Sequence, residues 1–175
     1  IRAVIVTHGH LDHIGGIPYI MPRIGNPPLY TRLLTSVLIK KRQEEFSQTT
    51  PVQIREVEKD EVIKLGDHTI RFFGVTHTVP DSMGIIIETP WGDVVFTGDI
   101  KLDHENGEPT EEEHQEFSIF KKRNVLCLLM DSTNVWQPGF SIPEHIVYKT
   151  LDKIISESKG CSLTPPACRV ISAID

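Results

Sequence analysis

The sequence predicts an α/β domain in which helices cover at least one face of a sheet. Three observations carry this. Short apolar runs ending in loops recur along the chain and read as strands. Two segments with apolar residues at helical spacing, and a third opened by a capping box, are interleaved with them. The length of 175 residues fits one such domain.

The elements follow in order. Ala3-Val4-Ile5-Val6 lies in a predicted buried strand over residues 2–7. A strand this apolar is expected to have neighbours on both sides. Gly15-Gly16 closes the next loop, with a helical turn expected at 17–21. Residues 22–28 hold three prolines, a glycine and an asparagine and are expected to be loop. Leu33, Leu34, Val37 and Leu38 repeat at helical spacing and predict a helix over 30–47. Its other side, with Arg32, Lys40, Lys41 and Arg42, is expected to be solvated. Strands are expected at 52–57 and 69–75 around a turn at 64–67. A hairpin over 84–89 and 93–97 should cross Pro90-Trp91-Gly92.

Thr110 with Glu113 forms a capping box and predicts a helix over 111–123. Val125-Leu126-Cys127-Leu128-Leu129-Met130 reads as another buried strand, with Cys127 a small core residue. Ser141 with Glu144 reads as a second capping box, opening a helix with Ile146, Val147, Leu151, Ile154 and Ile155 that stops before Gly160.

Composition narrows the function. The chain is 39% hydrophobic and 24% charged, enough for a real core. The net charge of −6 argues against gripping nucleic acid through bulk positive charge; a local site with bound metals stays open. Three cysteines give no disulfide framework and suit a reducing, cytoplasmic compartment. No apolar stretch reaches membrane-spanning length and no basic-then-apolar run reads as a signal segment, so no membrane association is expected. Gly15-Gly16 lacks the spacing of a nucleotide-binding loop.

The chemistry concentrates in Thr7-His8-Gly9-His10-Leu11-Asp12-His13. His8 and His10 are two residues apart and project to one side of an extended segment. Asp12 and His13, on the following turn, can address a second point. These are zinc ligand types, which bind at about 2 Å. Four of them so close together suggest two metals roughly 3.5–4 Å apart. A lone histidine is commonly an ordinary hydrogen-bonded residue, but that reading strains for four such groups at one strand end. Two more strand ends offer ligands, His77 after Val75-Thr76 and Asp99 after Thr97-Gly98. His77 can complete a three-histidine site with His8 and His10, and Asp99 can bridge both metals. His68, His114 and His145 are expected in solvent, and His104 is a candidate partner of a metal ligand. Cys161 and Cys168 make a poor zinc pattern. Ser132 and Asn134, in Asp131-Ser132-Thr133-Asn134, can cap backbone groups, hold substrate phosphate or orient a ligand. Ser132 has no neighbouring base to make it a nucleophile.

His8-Gly9-His10-Leu11-Asp12-His13-Ile14-Gly15-Gly16 resembles the mark of the metallo-β-lactamase superfamily. Thr76-His77-Thr78-Val79-Pro80-Asp81-Ser82, Thr97-Gly98-Asp99-Ile100-Lys101-Leu102-Asp103, and Asp131-Ser132-Thr133-Asn134 with Pro138-Gly139 are similar to its β-CASP branch of RNA-processing nucleases. Within that branch the four motifs together resemble the ribonuclease J family. The resemblance covers residues 1–160 and implies part of an αββα sandwich. It implies that His8, His10 and His77 hold one Zn²⁺, that Asp12 and His13 hold a second, and that Asp99 bridges them. Asp12 and Asp99 then frame a metal-held hydroxide as nucleophile.

The implied activity is zinc-dependent hydrolysis of RNA phosphodiesters, both internal and from the 5′ end, in RNA processing and decay, ribosomal RNA included. The implied partners are RNA, further copies of the chain in a dimer or tetramer, and an RNA-decay assembly, with no membrane. The family has earlier strands, a further histidine ligand and a second domain that this sequence lacks. It is therefore read as an internal piece with little activity of its own. Residues 161–175, with Pro165-Pro166, depart from the family pattern and are unassigned. A small-molecule hydrolase such as a glutathione thioesterase, or a non-catalytic scaffold, are the alternatives.

Overall fold

The computed structural model describes residues 1–46 and 48–157. Residues 161–175, including Cys161 and Cys168, lie outside the described residues.

Two sheets form the centre. Strands β1 (Val4–Ile5), β2 (Leu29–Thr31) and β3 (Ile54–Glu56) pair in parallel in the order β1-β2-β3. The larger sheet contains β4 (Val62–Leu65), β5 (His68–Gly74), β6 (Met83–Thr89), β7 (Gly92–Phe96) and β10 (Val125–Leu129), in the order β10-β7-β6-β5-β4. β4 to β7 are antiparallel neighbours, and β10 joins β7 in parallel. A two-stranded ribbon of β8 (His104–Glu105) and β9 (Glu108–Pro109) stands apart.

Side-chain alternation explains the layering. On β5 and β6, Ile70, Phe72, Met83 and Ile85 point one way and meet Tyr30 of β2 and Val57, which follows β3. The alternate residues Phe73 and Ile86, with Val95 of β7, point outward. There they are covered by Phe117, Ile119 and Phe120, which lie in a 3₁₀ turn (Phe117–Phe120) following helix α4 (Glu111–Glu116). On the small sheet's outer side, Val6 and Leu29 pack with Ile14, Ile17, Met21 and Ile39. Those residues come from helices α1 (Leu11–Ile14), α2 (Ile17–Ile20), a 3₁₀ turn (Met21–Ile24) and α3 (Leu33–Glu44). The layer order is helix, sheet, sheet, helix, the αββα arrangement that the resemblance to the metallo-β-lactamase superfamily implies.

Several expectations are corrected. β1 has one neighbour among the described residues, not two. Residues 29–31 form strand β2 rather than the start of a helix, and residues 62–65 form strand β4 rather than leading into a turn. Helix α3 turns Thr35, Ser36 and Ile39 inward and leaves Leu33 and Val37 exposed. The small side chains let the helix lie close to the sheet, and the Ser36 hydroxyl donates to Glu56 of β3 (2.7 Å). Arg32 is not solvated surface; it pairs with Asp81 (3.1 Å).

Strand β10 is exposed at every residue, Cys127 included, because it is the last strand of its sheet among the described residues. The helix expected to start at a Ser141 cap is α5 (Glu144–Glu157). Its first amide, Glu144 N–H, donates to the Asp103 carboxylate (2.8 Å), so a distant side chain performs the capping. No helix among the described residues is long and apolar enough to cross a membrane.

Candidate metal centre

Four strand ends meet at one edge of the molecule. β5, β7 and β10 run in the same direction in the large sheet, so their C-terminal loops, starting at Val75, Thr97 and Met130, emerge together. The loop after β1 reaches them from the small sheet, and Met83 N–H donates across to Thr7 C=O (3.1 Å). Gly98 makes the turn before Asp99 at φ +62°, a conformation costly for other residues. A side chain there would also collide with Thr7.

These loops bring together all six residues singled out for metal binding. His8 Nε2 and His77 Nε2 each lie 3.1 Å from His10 Nδ1. Asp99 Oδ2 stands 3.7 Å from His8 Nε2, 3.9 Å from His77 Nε2 and 3.4 Å from His13 Nε2. Asp12 Oδ2 lies 3.5 Å from His13 Nε2. Two groups result, each with donor atoms within 4.8 Å of one another: His8, His10, His77 and Asp99, and Asp12, His13 and Asp99. Asp99 belongs to both.

The donor set fits metal ions. Tetrahedral zinc with bonds of about 2 Å holds its donors about 3.3 Å apart, close to the separations here. The outward nitrogens are also engaged. His8 Nδ1 lies 3.1 Å from Thr7 Oγ1, and His10 Nε2 lies 3.2 Å from Thr78 Oγ1. A ring proton on each outward nitrogen, donated to threonine, leaves the lone pairs of His8 Nε2 and His10 Nδ1 facing the common point. His8 is completely buried. Burial, and then the neighbouring His13 and His77, depress its pKa to about 4, so its imidazole is neutral and free to ligate near neutral pH. Asp12 and His13 lie on the exposed side, where solvent reaches the second group.

The remaining predicted residues lie elsewhere. The His104 ring accepts from Gly107 N–H (3.2 Å) and donates to Ser141 C=O (2.8 Å), fastening the β8–β9 ribbon to the segment before α5. Ser132 and Asn134 are exposed, in a turn where their carbonyls accept from Val135 and Gln137. His68, His114 and His145 are exposed, as expected.

Sequence reasoning passed over two carboxylates. Asp131 accepts from Ile100 N–H (3.4 Å), the residue next to Asp99, and from the Thr133 amide and hydroxyl (2.8 and 2.7 Å). Burial raises the Asp131 pKa, but the hydrogen bonds from Thr133 and Ile100 outweigh it and hold the group below its ordinary value. Asp81, at φ +68°, accepts from Leu34 N–H at the start of α3 (3.3 Å) and pairs with Arg32, anchoring the loop after His77. Their position after strand ends was the available signal; their partners are far away in sequence.

The chain is similar in sequence to several ribonucleases J. Ribonuclease J of Thermus thermophilus is 36% identical over 171 residues, spanning 91% of this chain and 29% of that protein. Ribonuclease J 1 of Streptococcus pyogenes is 35% identical over 161 residues, spanning 91% and 28%. Ribonuclease J of Corynebacterium glutamicum is 36% identical over 181 residues, spanning 100% and 25%. The chain thus matches between 25% and 29% of the length of these relatives.

Among solved structures, a protein of unknown function from Enterococcus faecalis V583 shares the fold, with TM-score 0.64, 22% identity and coverage of 89% of this chain and 39% of that one. Zn(2+)-bound PqqB from Methylobacterium extorquens has TM-score 0.51, 17% identity and coverage of 75% and 42%. The family model of the metallo-beta-lactamase superfamily matches residues 1–152, from β1 through every metal-binding candidate and into α5, and the chain belongs to that superfamily.

Proposed function

We propose that this chain carries the metal centre of a ribonuclease that hydrolyses RNA phosphodiesters with two zinc ions. The observation that carries the reading is the pair of donor groups sharing the Asp99 carboxylate, in a chain similar to ribonuclease J over most of its length. His8, His10 and His77 would hold one zinc, Asp12 and His13 the other, and Asp99 both. Bound there, zinc supplies Lewis acidity toward a phosphodiester oxygen and lowers the pKa of water.

The chain's own residues set the stage for that chemistry. His8 presents a neutral nitrogen from a buried position. Thr7 and Thr78 fix the rings of His8 and His10. Asp12, the most exposed member with its side chain 77% accessible, is open to solvent and so to an incoming RNA strand. Its carboxylate takes the proton of the attacking water, and Asp99 holds the two halves of the centre in register. In-line attack at phosphorus breaks the P–O3′ bond, leaving a 5′-phosphate on the 3′ product and, with a proton from solvent, a 3′-hydroxyl on the other. The net charge of −6 means that RNA affinity comes from the centre and a local groove. The similarity to ribonuclease J extends the proposal to a cytoplasmic enzyme that cuts internally and from the 5′ end, as an oligomer within an RNA-decay assembly.

The test compares substrates. The whole protein that carries this chain is incubated with a 5′-monophosphorylated RNA oligonucleotide and, in parallel, with a glutathione thioester. RNA cleavage that stops on chelation and returns with zinc is expected, with the thioester untouched. Thioester turnover with intact RNA would sink the proposal.

A further inference from the structure

We propose that Glu113 is a positioning residue for the metal centre, its buried carboxylate tying the loop that carries His77 to the loop that carries Asp99. The inference rests on the two-group metal centre proposed above. Thr110 and Glu113 form a capping-box sequence at the start of α4, in which the glutamate ordinarily reaches back to the first residue's amide. Only half of that device forms. The Thr110 hydroxyl accepts from Glu113 N–H (3.3 Å), but Thr110 N–H donates to the Asp103 carbonyl (3.2 Å).

The Glu113 carboxylate turns into the protein instead. Its Oε1 accepts from the Thr76 hydroxyl (2.5 Å) and from Asp103 N–H (3.2 Å). Thr76 adjoins His77, and Asp103 ends the loop begun by Asp99. Lys101 N–H donates to the Thr76 carbonyl (2.8 Å) and runs alongside the same link. One turn further along the same helix face, Glu116 accepts from Gly74 N–H (3.2 Å) at the end of β5. α4 thus grips the exit of that strand twice.

Glu113 is 3% exposed. A carboxylate buried on a hydroxyl and an amide is costly to keep for helix capping alone, which Thr110 already provides. The cost is intelligible if the link sets the distance between two metal ligands from different strands, since groups behind metal ligands commonly tune affinity.

The test is zinc affinity, read by competition with a chromophoric chelator, with the cobalt(II) absorption spectrum as a second readout. Glu113→Ala should weaken zinc binding by about tenfold or more. Glu113→Gln, whose amide oxygen can serve both donors, should restore it. Thr76→Val keeps the cap and removes the link, so it should match Glu113→Ala, and the double variant should lose little more. Thr110→Ala should lower the melting temperature and leave zinc affinity unchanged. Wild-type affinity in both Glu113→Ala and Thr76→Val overturns the inference while leaving the centre standing, as does a Thr110→Ala loss equal to that of Glu113→Ala. A wild-type protein that holds no zinc overturns the centre and the inference together.

Discussion

Asp99 Oδ2 lies within 3.9 Å of three imidazole nitrogens from two strand-end loops, so one carboxylate serves both donor groups. His13 belongs to one group only. The two substitutions therefore separate. His13→Ala should reduce bound zinc from two equivalents to one, whereas Asp99→Ala should weaken both sites and bring the content below one. Elemental analysis after gel filtration measures this, with circular dichroism to show that both variants fold. Equal losses would contradict a shared ligand. The candidate ligands were legible in the sequence because His8, His10, Asp12 and His13 fall within six residues and two more candidates follow strands. The residues that steady them were not. Asp81 meets Leu34 across 47 positions and Glu113 meets Thr76 across 37, separations that no local pattern encodes.

At the scale of elements, β6 and β7 set Glu88 directly opposite Asp93. Two like charges facing each other across a ladder destabilise it. Arg123, from the segment before β10, donates to both, at 3.1 Å to Glu88 and 2.8 Å to Asp93, and Arg71 of β5 adds a bond of 2.5 Å to Glu88. The bond from Arg71, opposed by partial burial and reinforced by Arg123, holds the Glu88 pKa below its ordinary value of 4.5. A carboxylate depressed in the folded state contributes stability that is fully present above its unfolded pKa. That stability is lost as pH falls through the folded pKa. Urea midpoints should therefore drop below about pH 4.5, and Glu88→Gln should flatten that part of the curve. A curve of unchanged slope in the variant would refute the assignment. Arg123→Met should cost about 1–3 kcal/mol at neutral pH, because it leaves the two carboxylates facing each other. The β6–β7 hairpin was legible from two short apolar runs across its Pro-Trp-Gly turn. β2 and β4 were not. β2 is three residues long, and its pattern runs straight into that of α3. β10 reads as a core strand from its five apolar residues, yet its neighbours, not its composition, decide what covers it.

Across the whole molecule, the donor groups lie on the seam between the sheets. His8, His10, Asp12 and His13 follow β1 of the small sheet, while His77 and Asp99 follow β5 and β7 of the large one. Metal ligation would add a cross-link at one edge of a sandwich otherwise held by the apolar contacts of Tyr30 and Val57 with Ile70, Phe72, Met83 and Ile85. Unfolding separates the loops and destroys both groups, so zinc held there would bind the folded chain in preference to the unfolded one. Free zinc at a hundred times the dissociation constant should then stabilise the fold by about 2.7 kcal/mol per site. For a chain of this size that raises the melting temperature by roughly 5–10 °C. The rise should continue with the logarithm of zinc concentration, disappear on chelation, and shrink in Asp99→Ala, which uncouples the two sheets at the shared ligand. Thermal melts buffered at a series of free zinc concentrations measure it. A melting temperature indifferent to zinc would mean that the imidazoles at the seam hold no metal across it, however well their spacing suits one.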